Sequence, residues 1–124
     1  MSNYVILPLT EDRRQMFTLD MVINSAALEA RVEVRYLPAP NRWYISVWDH
    51  SSGEILVNMI PLVCSYEKMN DLFLPFAYKR GGKGLGTLFV LRSVDQPDTP
   101  DPSEKNIKQF NVLWGDTYEA ESQA

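Results

Sequence analysis

The sequence predicts a single, mainly β domain: a small antiparallel β-sandwich or barrel. Apolar and polar residues alternate along several segments, which is the pattern of strands with one buried face. Clusters of Gly, Pro, Asn and Ser separate these segments at intervals of about ten residues, as is typical of small all-β folds. The chain has 124 residues, of which 45% are hydrophobic, enough for one domain with its own core. Sandwiches and barrels produce the same alternation, so the sequence leaves that choice open.

The clearest strand covers residues 28–36, where apolar residues alternate with charged ones. A strand places these two sets on opposite faces, as in antiparallel sheets that meet water on one side. The preceding segment 17–23 alternates in a similar way, and Asn24-Ser25 between the two can turn the chain. We therefore expect two paired strands with a charged outer face, formed by Glu29, Arg31, Glu33 and Arg35.

Two further strands with a turn between them are expected over residues 42–60. In the first, 42–49, one face is Trp43, Ile45 and Val47, and the other is Tyr44, Ser46 and Trp48. The alternation does not decide which face points inward, but a strand with aromatic residues on both sides indicates that both are covered. The turn is 50–53, and Pro61 stops the second strand, 54–60. Shorter strands are expected at 4–7 and 87–92.

Two segments between the strands break the alternation. Residues 65–72 contain few β-branched side chains, and we expect a short helical segment near 66–73 that Pro75 prevents from extending. Residues 81–86 hold four glycines, whose backbone entropy is too costly inside a helix or strand, so they are expected to form a loop. A phosphate-binding loop is not indicated, because Lys83 is followed by glycine rather than Ser or Thr.

Charge is unevenly distributed along the chain. Residues 1–94 carry 10 basic and 9 acidic side chains, and residues 95–124 carry 2 basic and 7 acidic ones, which gives +1 and −5 and adds to the net charge of −4. Three prolines within 97–102 exclude a regular element there. The sequence therefore predicts an antiparallel β domain at 1–94 and an irregular, acidic, proline-rich C-terminal extension at 95–124. This extension can add one strand at 106–114.

The sequence predicts no catalytic residue, no metal site and no cofactor, and therefore a protein that is not an enzyme. Cys64 and His50 are the only cysteine and the only histidine, which leaves no disulfide within the chain and no site that needs two histidines. Asp49 and Ser51 beside His50 do not indicate a triad, because triad members converge from separate parts of a fold. We expect a solvated turn histidine and a partly buried, unreactive thiol. The net charge does not suit nucleic acid, and the apolar runs are too short to cross a membrane.

Aromatic and basic residues offer candidate binding surfaces instead. We expect the sheet face with Tyr44 and Trp48 to meet another protein, and the glycine loop to become ordered against a neighbour. The candidate interface is Tyr44, Trp48, Tyr78, Arg80 and Lys83. The alternative is a small β-barrel that binds a ligand or single-stranded nucleic acid through the aromatic strand and the arginines near it.

The order and spacing of several segments over about residues 4–93 resemble those of the baseplate plug family of contractile-tailed bacteriophages. The segments are Ile6-Leu7-Pro8-Leu9, Gln15-x-Phe17-x-Leu19, the alternating strand through Tyr36, Arg42-Trp43-Tyr44-Ile45-Ser46-Val47-Trp48-Asp49 with Gly53 after it, and Ile60-Pro61-Leu62-Val63. The family often has a glycine where this chain has Met59, and the acidic tail from Gln96 is not part of the family's core pattern.

This resemblance implies a structural virion protein: a component of the phage tail baseplate, in the plug or hub region, made in the host cytoplasm. It implies contacts with other phage tail proteins, namely hub, spike, tube or further baseplate subunits, in several copies. A homo-oligomer is compatible with this expectation. We expect this protein to bind no cofactor, no membrane and no nucleic acid.

Overall fold

Seven strands form two antiparallel sheets in the computed structural model, which describes residues 4–66, 70–82 and 84–116. The strands are β1 (Tyr4–Ile6), β2 (Arg14–Ile23), β3 (Ala26–Leu37), β4 (Arg42–Asp49), β5 (Ile55–Pro61), β6 (Thr87–Arg92) and β7 (Phe110–Gly115). One sheet has the order β2-β3-β4-β5 and the other has the order β1-β7-β6. The sheets are not closed into a barrel. The predicted mainly β fold is confirmed, and of the two architectures left open the structure has the sandwich.

The hairpin of β2 and β3 is the longest regular feature. Its two-residue turn is Asn24-Ser25, with φ of 52° and 67°, and two positive φ values are what a type I′ turn requires. This turn sets the register in which Ile23 pairs with Ala26 and Arg14 with Arg35. The apolar residues of β3 face the core as the alternation predicted, all of them buried: Leu28, Ala30, Val32, Val34 and Tyr36.

The strand β4 resolves the choice of faces that the sequence left open. Trp43, Ile45 and Val47 are completely buried, so theirs is the inner face, and Tyr44 and Trp48 lie on the outer one. The Trp43 indole N–H donates to the carbonyl of residue 103 at 2.7 Å, which satisfies its only polar group. This strand is therefore fixed from the core side, and its outer side chains are presented by a rigid backbone.

Both sheets contribute to one core. On the three-stranded sheet, Leu88, Val90 and Trp114 are completely buried. Phe73, from the segment before β6, packs edge-on against Trp114 with ring centroids 5.4 Å apart, and the Trp114 indole N–H donates to the Leu85 carbonyl at 2.6 Å. Residues 70–82 and 84–86 are thereby held against the sheet although these described ranges contain no strand.

The C-terminal segment is part of this packing. Strand β7 lies between β1 and β6, so the predicted boundary after residue 94 does not divide the packed unit. The predicted strand at 106–114 corresponds to β7 at 110–115, preceded by a 3-10 turn, Ile107–Gln109. The proline-rich stretch is irregular as expected, but it docks on the other sheet: Asp101 accepts from the Arg42 guanidinium at 3.2 Å and from the Cys64 amide at 2.8 Å. Residues 117–124 lie outside the described part of the chain.

The helical content of the described residues is three short 3-10 turns. The predicted segment near 66–73 includes residues 67–69, which lie outside the described residues, and the first turn follows it at Leu74–Phe76. Pro75 is inside that turn, because the missing N–H of proline costs nothing in a first turn. The glycine loop begins with the turn Arg80–Gly82, and residues 84–86, which lead into β6, have no regular structure.

Candidate functional site

An arginine and a tryptophan form a contact on the outer face of the four-stranded sheet. Trp48 of β4 lies directly opposite Arg31 of β3, and the Arg31 guanidinium carbon is 5.1 Å from the centroid of the Trp48 ring. The tryptophan is half-buried and the arginine is exposed. Such a contact contributes about 0.5–1 kcal/mol at an exposed site and more when it is desolvated. A partner that covers this pair would therefore strengthen it.

The same face continues on both sides of this pair. Tyr44, four residues before Trp48, lies opposite Arg35, and Ile55 of β5 lies opposite Trp48 with 41% of its surface exposed. We call this set the outer aromatic face: Arg31, Arg35, Tyr44, Trp48 and Ile55.

The centre of this face is polar and is occupied by contacts within the chain. Glu33 is buried although it belongs to the outer set, and its carboxylate accepts from the Arg14 Nε–H at 2.7 Å. Ser46, opposite Glu33, accepts from the Met59 amide at 2.9 Å. Met59 has a φ of 53° and lies where the pairing of β4 with β5 shifts register. The aromatic residues on either side are therefore the groups left for a partner.

The segment before β6 carries an exposed aromatic residue. Phe73 anchors the segment in the core, whereas Leu74 and Tyr78 are 65% and 69% exposed. The Lys79 ammonium lies 5.3 Å from the centroid of the Tyr78 ring. Tyr78 is therefore accessible, as an interface residue must be.

Arg80 has a structural role that the sequence did not predict. Its guanidinium donates to the carbonyls of Ala26, Ala27 and Gly84 at 3.1, 3.2 and 3.1 Å. These bonds fasten the glycine loop to the tip of the β2–β3 hairpin. Lys83, the remaining predicted interface residue, lies outside the described residues.

The described interface residues fall in two places rather than one. Arg80 contacts the hairpin tip at Ala26 and Ala27, whereas Trp48 lies opposite Arg31. Four or five residues of β3 separate these points, which is roughly 15 Å along an extended strand. The structure thus keeps Tyr44 and Trp48 together on one face and places the Tyr78 segment at a different position.

A cleft of about 390 Å³ opens between this segment and the hairpin tip, and no sequence pattern predicts it. Its one carboxylate, Asp71, accepts from the amides of Phe73 and Leu88 at 2.9 and 3.1 Å and from the Thr87 hydroxyl at 3.3 Å. Burial raises the pKa of Asp71 above its usual value, and these hydrogen bonds oppose that rise. The carboxylate is therefore engaged in holding the segment against β6.

The thiol and the imidazole considered in the sequence lie apart from these surfaces. Cys64 is buried and its thiol donates to the Ser65 carbonyl at 3.4 Å, and burial raises its pKa, so the reactive thiolate is disfavoured. His50 is exposed in the turn between β4 and β5. No three His, Cys, Asp or Glu side chains among the residues described are grouped to hold a metal ion. The same residues contain no helix long and apolar enough to span a bilayer.

Two comparisons with known proteins found no match. No protein-family model matches this chain, and no curated protein matches it. The likeness to the baseplate plug family consequently remains an expectation drawn from the residues quoted above. The function is best argued from the surfaces that the fold presents.

Proposed function

We propose that this chain is a structural protein that acts through protein–protein contacts, as a component of a contractile phage tail baseplate in its plug or hub region. The observation that carries the proposal is the outer aromatic face, where Tyr44 and Trp48 lie opposite arginines on adjacent strands. Trp, Tyr and Arg are the residues most enriched at the energetic centres of protein interfaces. The rings of tryptophan and tyrosine bury a large area on binding, and these side chains lose little conformational entropy.

Rigidity of the strand beneath supports this proposal. The opposite side of β4 is filled by Trp43, Ile45 and Val47, each with no exposed surface. A partner that binds Trp48 would not have to order this backbone first, so less of the contact energy is lost to entropy. A face of this kind suits a permanent position in an assembly.

The conformation of Met59 agrees with the resemblance to the plug family. Its φ of 53° lies in the left-handed region, which glycine adopts without the steric penalty that a Cβ brings. This is the position just before Ile60-Pro61 at which that family often has glycine. The backbone requirement thus fits the family pattern even where the residue type departs from it.

The alternative function, binding of a ligand or single-stranded nucleic acid, has less support. A nucleic-acid surface needs a field of positive charge, but Glu29 and Glu33 alternate with Arg31 and Arg35 on this face, and Arg14 is already paired with Glu33. The open sandwich also lacks the interior that a ligand-binding barrel would offer.

The experiment is affinity capture of the tagged full chain from cells that produce a complete set of phage tail proteins, read by mass spectrometry. The proposal expects tube, hub or spike proteins in fixed ratios that survive washing with high salt, because an aromatic face depends little on screening. Recovery of nucleic acid, lost steeply as salt rises, or of no tail protein at all, would contradict it.

A further inference from the structure

The free edge of β2 is a second surface capable of binding. Among the described strands β2 pairs with β3 alone. Because Ile23 and Ala26 flank a two-residue turn, they form a hydrogen-bonded pair, and the odd-numbered residues of β2 direct their N–H and C=O groups toward β3. The even-numbered residues direct theirs away from it. The hydrogen bond from the Tyr36 amide to the carbonyl of Arg13, another odd-numbered residue, follows the same alternation just before β2 begins.

Most of the features that usually block pairing are absent from this edge. Lone edge strands are commonly protected by charged side chains, above all lysine, by proline or by a bulge. The charged residues of β2 are Arg14 and Asp20, which are opposite in sign. Strand β2 contains neither lysine nor proline, and its ten residues pair with β3 without a register shift. Met16 and Val22 are 47% and 66% exposed. On the inner face at this edge, the core side chains are only half-buried: Phe17, Leu19 and Met21.

We propose that β2 pairs antiparallel with β2 of a second copy of this chain, about a two-fold axis through Phe17. The four-stranded sheets of the two copies then form one continuous sheet. Arg14 lies opposite Asp20 of the second copy, Met16 lies opposite Thr18, and Phe17 lies opposite its own counterpart. A two-fold interface repeats each contact, so two Arg–Asp pairs enclose an apolar centre.

Charge complementarity selects the second copy and this register. No described residue pairs with the Asp20 carboxylate, and Arg14 uses its Nε–H for Glu33, which leaves the other N–H groups of its guanidinium for a further acceptor. A register shifted by two residues would place Asp20 opposite Met16 and Arg14 opposite Val22, without any ion pair. The chosen register also makes Phe17 a non-hydrogen-bonded pair, in which opposite side chains approach most closely.

This inference does not rest on the proposed function. Trp48 is on β4, two strands from β2 and therefore about 10 Å away across the sheet. The dimer can form with or without a tail partner, and loss of either interface leaves the other intact. Failure of one proposal is therefore distinguishable from failure of the other.

Sedimentation velocity of the full chain, with one charge-reversal variant and its control, tests the dimer. The wild type is expected to sediment with twice the 14.2 kDa chain mass. Asp20→Lys places a like charge opposite each Arg14 and is expected to weaken dimerisation at least tenfold. Glu54→Lys makes the same charge change at an exposed residue just before β5, the strand at the opposite edge of the sheet from β2, and is expected to remain dimeric. A monomeric wild type would overturn the proposal. It would also be overturned if Asp20→Lys and Glu54→Lys weakened dimerisation to the same extent, or if neither weakened it.

Cross-linking of single cysteine variants, each made in the otherwise wild-type chain, tests the register of the proposed β2–β2 pairing. Cys64 is buried, so the wild type is expected to form no covalent dimer under mild oxidation. Phe17→Cys is expected to cross-link, since opposite Cα atoms in such a pair lie about 4.5 Å apart. Thr18→Cys is not expected to cross-link, because the Cα atoms of the two copies of residue 18 would be about 8 Å apart, which is too far for a disulfide. Cross-linking through Thr18→Cys but not Phe17→Cys would overturn the register.

Discussion

A Cβ on Gly86 would lie 1.9 Å from the carbonyl oxygen of Gly115. Gly86 ends the glycine loop and Gly115 ends β7, and the next residue, Thr87, pairs with Gly115. The Ile23 side chain, at the end of β2, is 3.0 Å from the same Cβ position. Three parts of the chain therefore meet where only glycine fits, and this contact closes one end of the sandwich.

Gly86→Ala is expected to lower the free energy of unfolding by about 3 kcal/mol or more. The Cβ meets backbone that cannot rotate away, and φ is +75°, so an overpacking cost adds to a conformational one. Gly53→Ala is the matched control, since it has nearly the same φ, +78°, and no atom within 4 Å of the Cβ. Urea denaturation should show a cost of only about 1 kcal/mol there. Equal losses in both variants would show that the close approach to Gly115 is absent.

A chain truncated after Val94 is expected not to fold. It lacks β7, which joins β1 to β6, and it exposes the core surface that Trp114 covers. Circular dichroism and a thermal melt of the truncated chain would test this, with a chain truncated after Asp116 as the control. A cooperative melt of the shorter chain would restore the domain boundary that the charge distribution suggested.

Asp71→Ala is expected to destabilise the fold by about 2 kcal/mol more than Asp71→Asn. Alanine leaves two backbone amides without their acceptor, whereas asparagine retains a carbonyl oxygen for Phe73 and Leu88. Urea midpoints of the two variants at pH 7 give the comparison. Equal stabilities would mean that this carboxylate does not hold the segment to β6.

The contribution of Asp71 to the free energy of unfolding changes with pH in the opposite direction to that of a salt-bridged carboxylate. Burial raises its folded pKa above the usual 3.8, so between the two values the folded chain binds more protons than the unfolded chain. Acid therefore favours the folded state at this group. As pH falls from 7 toward 4, the stability of the wild type relative to Asp71→Asn should increase. A decrease in this difference would contradict the cause given for the shift.

Arg80→Ala is expected to release the glycine loop without unfolding the sandwich. The lost bonds join a charged group to three carbonyls, and one such bond is worth about 1–2 kcal/mol at a partly exposed site. Hydrogen exchange at the Gly84 amide, which donates to the Lys79 carbonyl, should accelerate at least fivefold. Lys79→Ala removes a neighbouring positive charge but leaves these bonds, so its exchange should match the wild type.

Local patterns in the sequence are enough to predict the individual strands that form the four-stranded sheet. Over residues 28–36 of β3 each apolar residue alternates with a polar one, and burial follows that alternation except at Glu33, which is buried on the outer face. The turn at Asn24-Ser25 was equally readable, because few residue types tolerate positive φ at both positions. Such features depend only on neighbours in sequence.

Features that depend on distant residues were not predictable in the same way. Prolines marked 97–102 as irregular, but nothing local shows that Asp101 binds the Cys64 amide or that β7 enters the middle of a sheet. Nothing local to Arg80 reveals its carbonyl partners at 26 and 27, which are more than fifty residues away in the chain. The sequence places Arg31 and Trp48 on strands that can share a surface, but their direct contact depends on the strand register.

Capture of tail proteins by Trp48→Ala and by Tyr66→Ala tests whether the outer aromatic face binds the assembly. Tyr66 is the matched control, since it is half-exposed and also lies under an arginine, Arg92, whose guanidinium carbon is 5.6 Å from the ring centroid. Both variants should still melt cooperatively, and Tyr66→Ala should melt at a slightly lower temperature because its hydroxyl donates to the Pro100 carbonyl. Trp48→Ala should reduce the recovered tail proteins at least tenfold, as expected for a central interface residue, and Tyr66→Ala should leave recovery unchanged. Full recovery with Trp48→Ala would contradict the claim that the outer aromatic face binds the assembly.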